Sequence, residues 1–388
     1  MLAQLPHMKG DPLWQILSEF NEDSRAEKID LLVGVYRDET GHTPMMKKVQ
    51  EAEKQLAEEG ASKAYRMLSG NMTFNRQIAK FLLGNNRLDD HCTIQTVGGS
   101  GALRVLADFI AKLSPQATVW NTEPGYLNHR PLMEGAGLTV EPFRWEDKGG
   151  QLDIEKCLMD LEGAKEGDIL LLHGCCHNPT GIDPTLDQWQ EFIDLCQNKN
   201  LIPLIDMAYQ GFGDEPSQDA AGLRLVLDQM DFVLIASSCS KNMGLYCERT
   251  GAALVVTKDQ TRHNDIRALL ELITRANYSM PPDHGSAIAA MLLDDPKDWL
   301  RELATYRNRV IQIRQALTDA LMALGAPEAF RSIAKQKGMF SLLPLSQEQM
   351  MRLKEEFAIY GVPNGRVNIA GLNTSQIPRL AQAIMAVV

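Results

Sequence analysis

The sequence predicts an α/β protein: a large domain with a mainly parallel sheet covered by helices, plus a smaller α/β domain. Three observations carry this. Through the middle of the chain, short runs rich in Ile, Leu and Val alternate with longer stretches of helical periodicity. The apolar runs are continuous, as in strands buried on both faces of a parallel sheet. Beyond Lys258 the pattern becomes helical and then mixed.

Asp11-Pro12 offers a carboxylate cap followed by proline in a first helical turn. Leu13, Ile16, Leu17 and Phe20 then recur at helical spacing. Ile29 to Tyr36 reads as a strand or extended arm, and Met45 to Glu59 as a helix. Strands are expected at Thr93–Thr96, Thr118–Asn121, Leu138–Glu141, Ile169–His173, Leu201–Ile205, Phe232–Ala236 and Ala252–Val256. Helices are expected at Ala102–Lys112, Leu186–Asn198 and Ala220–Gln229. The remainder reads as helices Gln260–Arg275, His284–Leu293 and Lys297–Leu324, then strands Gly338–Leu343 and Arg366–Ile369 with helices Ser346–Phe357 and Thr374–Ala386. This places the large domain at residues 45–310 and the small domain at residues 1–44 with 311–388.

The 388 residues suffice for a full core, and 44% hydrophobic with 23% charged residues is an ordinary enzyme's mixture. A net charge of −11 argues against a nucleic acid or an anionic membrane as partner, since both need a basic face. No apolar run approaches transmembrane length, and Met1 to Gly10 lacks a basic-then-apolar leader. Seven cysteines, an odd number spread along a large chain, fit a reducing, cytoplasmic setting.

The chemistry centres on Lys241, in Ser237-Ser238-Cys239-Ser240-Lys241-Asn242 at the end of an apolar strand. An ammonium there is poorly solvated, so its amine deprotonates more easily and becomes a nucleophile. A second strand ends in Asp206-Met207-Ala208-Tyr209. An amine for an aldehyde, a carboxylate for a pyridine nitrogen and a donor for a ring hydroxyl are three demands of pyridoxal phosphate. The fourth is an anion site. Gly98-Gly99-Ser100-Gly101 before a helix lets backbone N–H groups approach a phosphate, and Ser238 and Arg249 can complete it. A dinucleotide fingerprint is not matched, because its third glycine position holds Arg104. Cys175-Cys176-His177 lacks the paired spacing of zinc sites, so no metal is expected. Asn178, next in line, is a candidate donor to the ring oxygen, and a cis Asn178–Pro179 bond would aim it. Arg366, beside a small-residue turn, can clamp a carboxylate.

Together these segments resemble the class I aminotransferases of the aspartate and aromatic-amino-acid branch, nearly end to end. The resemblance runs through Gly34-Val35-Tyr36-Arg37-Asp38-Glu39-Thr40-Gly41, Gly98 to Arg104, His173 to Gly181, Asp206 to Phe212, Ser237 to Asn242, Arg275-Ala276-Asn277-Tyr278-Ser279, Gly338-Met339-Phe340-Ser341 and Gly365-Arg366-Val367-Asn368. It implies the fold type I architecture of pyridoxal phosphate enzymes and a homodimer with shared active sites. Lys241 would be the Schiff-base lysine and proton shuttle. Asp206 would pair with the pyridinium, backed by His129 and His173, and Asn178 and Tyr209 would hold the ring oxygen. Gly99, Ser100, Ser238, Ser240 and Arg249 would bind the phosphate, with Tyr65 reaching that of the neighbouring subunit. Arg366 would clamp the substrate α-carboxylate, Arg275 of the neighbouring subunit the distal carboxylate, and Gly34 would line the pocket.

Two departures bear on specificity. Tyr126 stands where the family usually stacks a tryptophan on the cofactor ring. Met280 stands where aspartate-selective members often carry asparagine. Ser100 and Ala64 point the same way, whereas Val35, Arg37 and Thr43 stay closer to the aspartate type. The expected activity is ping-pong transamination from aromatic and dicarboxylic L-amino acids to 2-oxoglutarate. The alternative is an aspartate-selective enzyme making oxaloacetate and glutamate.

Overall fold

A computed structural model of the chain describes residues 10, 12–85, 87–146 and 148–388. Asp11, and all of Met1–Gly10 except Gly10, lie outside them, so the expected cap and the leader reading are not addressed. The chain forms two compact units. One comprises Pro44–Arg309 with Gln336–Gly338; the other combines the described part of Met1–Thr43 with Val310–Lys335 and Met339–Val388.

The first unit is built on seven strands: β1 (His91–Val97), β2 (Thr118–Glu123), β3 (Thr139–Arg144), β4 (Ile169–His173), β5 (Ile202–Met207), β6 (Phe232–Ser238) and β7 (Thr250–Thr257). Their order is β1-β7-β6-β5-β4-β2-β3. All neighbours from β6 to β3 are parallel, while β7 runs antiparallel to both β6 and β1. The mainly parallel sheet is therefore observed, and its continuous apolar runs have their cause: β4 and β7 are buried at every position. Ile94, Val119, Leu171, Leu204, Leu234 and Val255 from the strands pack with Leu103, Leu106 and Phe109 of the helix Gly98–Leu113.

Local chemistry sets several helix limits. Asn71 accepts from the Thr73 and Phe74 N–H groups and starts Met72–Leu83, a helix absent from the sequence reading. Thr185 and Gln188 form a capping box at the start of Leu186–Lys199, which ends at Asn200 in the left-handed region. The expected helix Ala102–Lys112 begins earlier, at Gly98, so the glycine turn is itself the first helical turn.

In the second unit Ile29–Asp30 pairs in parallel with Ile359–Tyr360, and Phe340–Leu342 pairs antiparallel with Arg366–Asn368. Of the segment expected as a strand or extended arm, Ile29 to Tyr36, only Ile29–Asp30 is a paired strand, its partner being Ile359–Tyr360. Phe20 of the helix Pro12–Glu22 meets the Tyr360 ring edge-on at 5.2 Å, and Leu32, Ala358 and Val362 complete this small core. No helix among the described residues is long and apolar enough to cross a membrane.

Candidate active site

The strand register brings the key side chains together. His173 at the end of β4 lies opposite Asp206 on β5, and Met207 lies opposite Ser237 on β6. Asp206, Tyr209, Ser238 and Lys241 thus emerge at the carboxyl ends of adjacent parallel strands, where open α/β sheets take their ligands.

Asp206 is 4% exposed, and its Oδ2 lies 2.9 Å from His129 Nε2. The other His129 nitrogen lies 3.1 Å from Asn121 Oδ1, on β2. His173 sits 4.9 Å from the His129 ring. Burial alone would raise the Asp206 pKa. The His129 hydrogen bond, with the charges of His129 and Lys241, outweighs it and holds the carboxyl below its ordinary value. His173 is driven down to about 3, mainly by burial, and stays neutral. A buried anion supported in this way can keep a pyridine nitrogen protonated.

Lys241 lies with its Nζ 5.1 Å from the centroid of the Tyr209 ring. Burial lowers its pKa to about 8, against the pull of Asp206 and with help from Arg249. Asn178 Nδ2 donates to Tyr209 Oη at 3.3 Å, and the Asn178–Pro179 bond is cis. The Tyr126 ring meets His129, the hydrogen-bond partner of Asp206, edge-on at 5.2 Å.

The anion cradle is tight. Gly98 has φ +67°, and its N–H donates to Arg249 O at 2.8 Å. A Cβ at Gly98 would lie 2.5 Å from Arg249 Nη2, and one at Gly99 would lie 2.9 Å from Ser238 Cβ. Arg249, itself at φ +50°, sends Nη1 to Ser240 Oγ at 3.3 Å and to Tyr246 O at 3.0 Å. Ser100 follows in the same first turn. Helix N–H groups, two serines and a guanidinium at one spot form a donor set suited to a phosphate. With Lys241, Asp206 and the Asn178–Tyr209 pair, the residues present fit pyridoxal phosphate.

Other predicted residues lie elsewhere. Tyr65 is 95% exposed, and with Arg275 and Met280 it lines a separate cavity of about 940 Å³ that includes none of Lys241, Asp206 or Tyr209. Met280 Sδ there accepts from the Arg66 N–H at 3.3 Å. Gly34 and Arg366 belong to the second unit. The Arg366 guanidinium lies 4.8 Å from the Phe340 ring centroid and donates to Leu32 O at 2.9 Å. A Cβ on Gly34 would come 2.5 Å from Phe340 Cζ, so glycine keeps that ring's place open. The Cys176 thiol is pushed up to about 12 by burial, and Asp219 beside it already accepts three backbone N–H bonds, from Gly211, Gly213 and Asp214. Asn121, which anchors His129, escaped the sequence reading; its signal was a polar residue inside an apolar strand.

The comparisons agree with this geometry. The family model described as "Aminotransferase class I and II" matches residues 26–384. The aromatic-amino-acid aminotransferase of Paracoccus denitrificans is 42% identical over 392 residues, covering 100% of both chains. The aspartate aminotransferase of Escherichia coli (strain K12) is 40% identical, again with 100% of both covered. The crystal structure of the aromatic-amino-acid aminotransferase from Burkholderia pseudomallei, covalently bound to pyridoxal phosphate, superposes with a TM-score of 0.96 at 37% identity, covering 100% of this chain and 99% of that one. With the family model matched over residues 26–384 and relatives about 40% identical along the whole length, the chain belongs to the class I and II aminotransferases.

Proposed function

We propose that the protein is a pyridoxal-phosphate-dependent transaminase. It moves the amino group of aromatic and dicarboxylic L-amino acids to 2-oxoglutarate in a ping-pong cycle. The observation that carries this is the convergence of Lys241, Tyr209 and Asn178 at the strand ends that also present Asp206. When bound, the cofactor supplies an aldehyde for the amino group and a ring that accepts electrons from the substrate α-carbon.

The residues then divide the work. Asp206, braced by His129, keeps the ring nitrogen protonated. Asn178 and Tyr209 donate toward the ring oxygen, and Gly99, Ser100, Ser238, Ser240 and Arg249 hold the phosphate. Lys241 Nζ, with a pKa near 8, is suited to take the α-proton and return it. Tyr126 covers the ring, and Arg366 binds the substrate α-carboxylate. Tyr65 and Arg275, exposed on their own cavity, serve the site of a second copy, which makes the working enzyme a homodimer. Seven cysteines, none paired in a disulfide, support a cytoplasmic setting.

An aspartate-selective enzyme is the second reading, supported by the similarity to the Escherichia coli aspartate aminotransferase. Met280 on the Arg275 cavity favours the broader one. Steady-state kinetics with phenylalanine, tyrosine and aspartate against 2-oxoglutarate tests both: comparable kcat/KM for the three supports the proposal. Aspartate preferred by orders of magnitude supports the alternative, and no turnover refutes both.

A further inference from the structure

In the Cys175-Cys176-His177-Asn178 segment, the proposed function uses only Asn178. His177 is nevertheless held at both ring nitrogens and on one ring face. It is 1% exposed, with Nδ1 2.8 Å from Thr180 Oγ1 and Nε2 3.1 Å from Thr122 Oγ1. Both threonines are buried. Thr180 Oγ1 also accepts from the Ile182 N–H at 3.1 Å, so this hydroxyl is fixed between the loop backbone and the His177 ring. A neutral imidazole has one donor and one acceptor to match two hydroxyls. Burial, reinforced by His173 and His129, keeps the ring neutral by holding its pKa well below the ordinary value.

These contacts join the end of β2, which leads into the Tyr126 loop, to the Asn178 loop. Thr122, near the end of β2, leads through Glu123-Pro124-Gly125 to Tyr126; a Cβ on Gly125 would lie 2.6 Å from Thr122 Oγ1, so the turn before Tyr126 packs directly on that hydroxyl. Thr180 belongs to the loop that presents Asn178. Trp145 reinforces the link. Its ring stacks on His177 at 4.5 Å and 13°, its backbone N–H donates to Glu123 O at 2.9 Å, and its indole N–H donates to Ile182 O at 3.0 Å.

Resting on the cofactor reading above, we infer that His177 is a positioning residue. It ties the Tyr126 loop to the Asn178 loop and so fixes the side chain that donates toward the ring oxygen of the bound cofactor. A ring that only filled space would need neither hydroxyl.

The test uses holoenzyme and the pH midpoint of the bound cofactor's visible absorption band. Donors at the ring oxygen compete with the proton on the neighbouring nitrogen, so their displacement moves the midpoint upward. His177→Leu is expected to raise it by about one pH unit and to lower kcat about tenfold with KM little changed. His177→Gln, which keeps a donor and an acceptor, restores at least half of the shift. Thr122→Val, which keeps the ring and its stacking, moves the midpoint in the same direction and decides the matter should His177→Leu fail to fold. Midpoints for the variants within about 0.2 units of wild type, whatever happens to the melting temperature, would overturn the inference. A wild-type protein without the band overturns the cofactor reading itself, so the two failures are told apart.

Discussion

The backbone of Gly98 and the guanidinium of Arg249 occupy adjoining space, so close that one added methyl group would lie 2.5 Å from Nη2. The same two residues share a backbone hydrogen bond of 2.8 Å, and both have positive φ. Gly98→Ala must therefore displace Arg249 and also force an L residue into the left-handed region. The expected result is a loss of about 1–3 kcal/mol of stability in urea titration and at least a tenfold weaker affinity for pyridoxal phosphate. Unchanged affinity would mean that Arg249 does not form the cradle.

His129 is the main force holding Asp206 ionised against burial. His129→Phe removes the hydrogen bond while keeping a ring, so the Asp206 pKa rises. A carboxylate with a raised pKa is lost at higher pH, and the acid limb of the kcat/KM profile moves upward. Asp206→Asn is expected to retain the cofactor and lose about 10²-fold or more in kcat. A pH profile for His129→Phe that overlays wild type would remove His129 from this role.

Lys241 makes a pH-dependent contribution that apo protein can report. Its folded pKa of about 8 lies below the ordinary lysine value of 10.5, so the unfolded chain binds more protons between those values. Stability then rises with pH through that window, and the burial penalty is felt in full below about 8. Lys241→Met should be more stable than wild type at pH 7 by about 1–3 kcal/mol, an advantage that shrinks toward pH 10. The difference in melting temperature against pH checks this; an advantage that stays constant would place Lys241 in solvent.

Met280 shares its cavity with Arg275 and accepts a hydrogen bond from the Arg66 backbone through sulfur. Met280→Asn restores an amide beside Arg275. The ratio of kcat/KM for aspartate to that for phenylalanine is expected to rise about tenfold. No change in that ratio would detach this cavity from substrate choice.

Much of this was legible because strand ends were. The apolar runs Phe232–Ala236 and Leu201–Ile205 point straight to Lys241 and Asp206, and β6 and β5 carry them. The antiparallel β7 was less visible, because an apolar run carries no direction. Its clue was the connection Cys239–Arg249, which holds no helix and is too short for a parallel crossover. The helix Met72–Leu83 was missed although Asn71 supplied a cap and Phe74, Ile78 and Leu82 recur at helical spacing. The His177–Thr122 bond was not legible at all. It joins a loop to the end of a strand distant in sequence, and Thr122 differs locally in nothing from an ordinary strand residue.

The placement of β7 has a consequence for how the enzyme is made. In the sheet, β1 touches β7 alone, and Gly98 reaches its hydrogen-bond acceptor only at Arg249. As the polypeptide leaves the ribosome, β1 must wait through the synthesis of β2 to β6 before its neighbour exists. Capacity to hold phosphate should thus be absent from nascent chains until Thr257 has emerged, leaving an exposed strand edge that the growing protein must protect meanwhile.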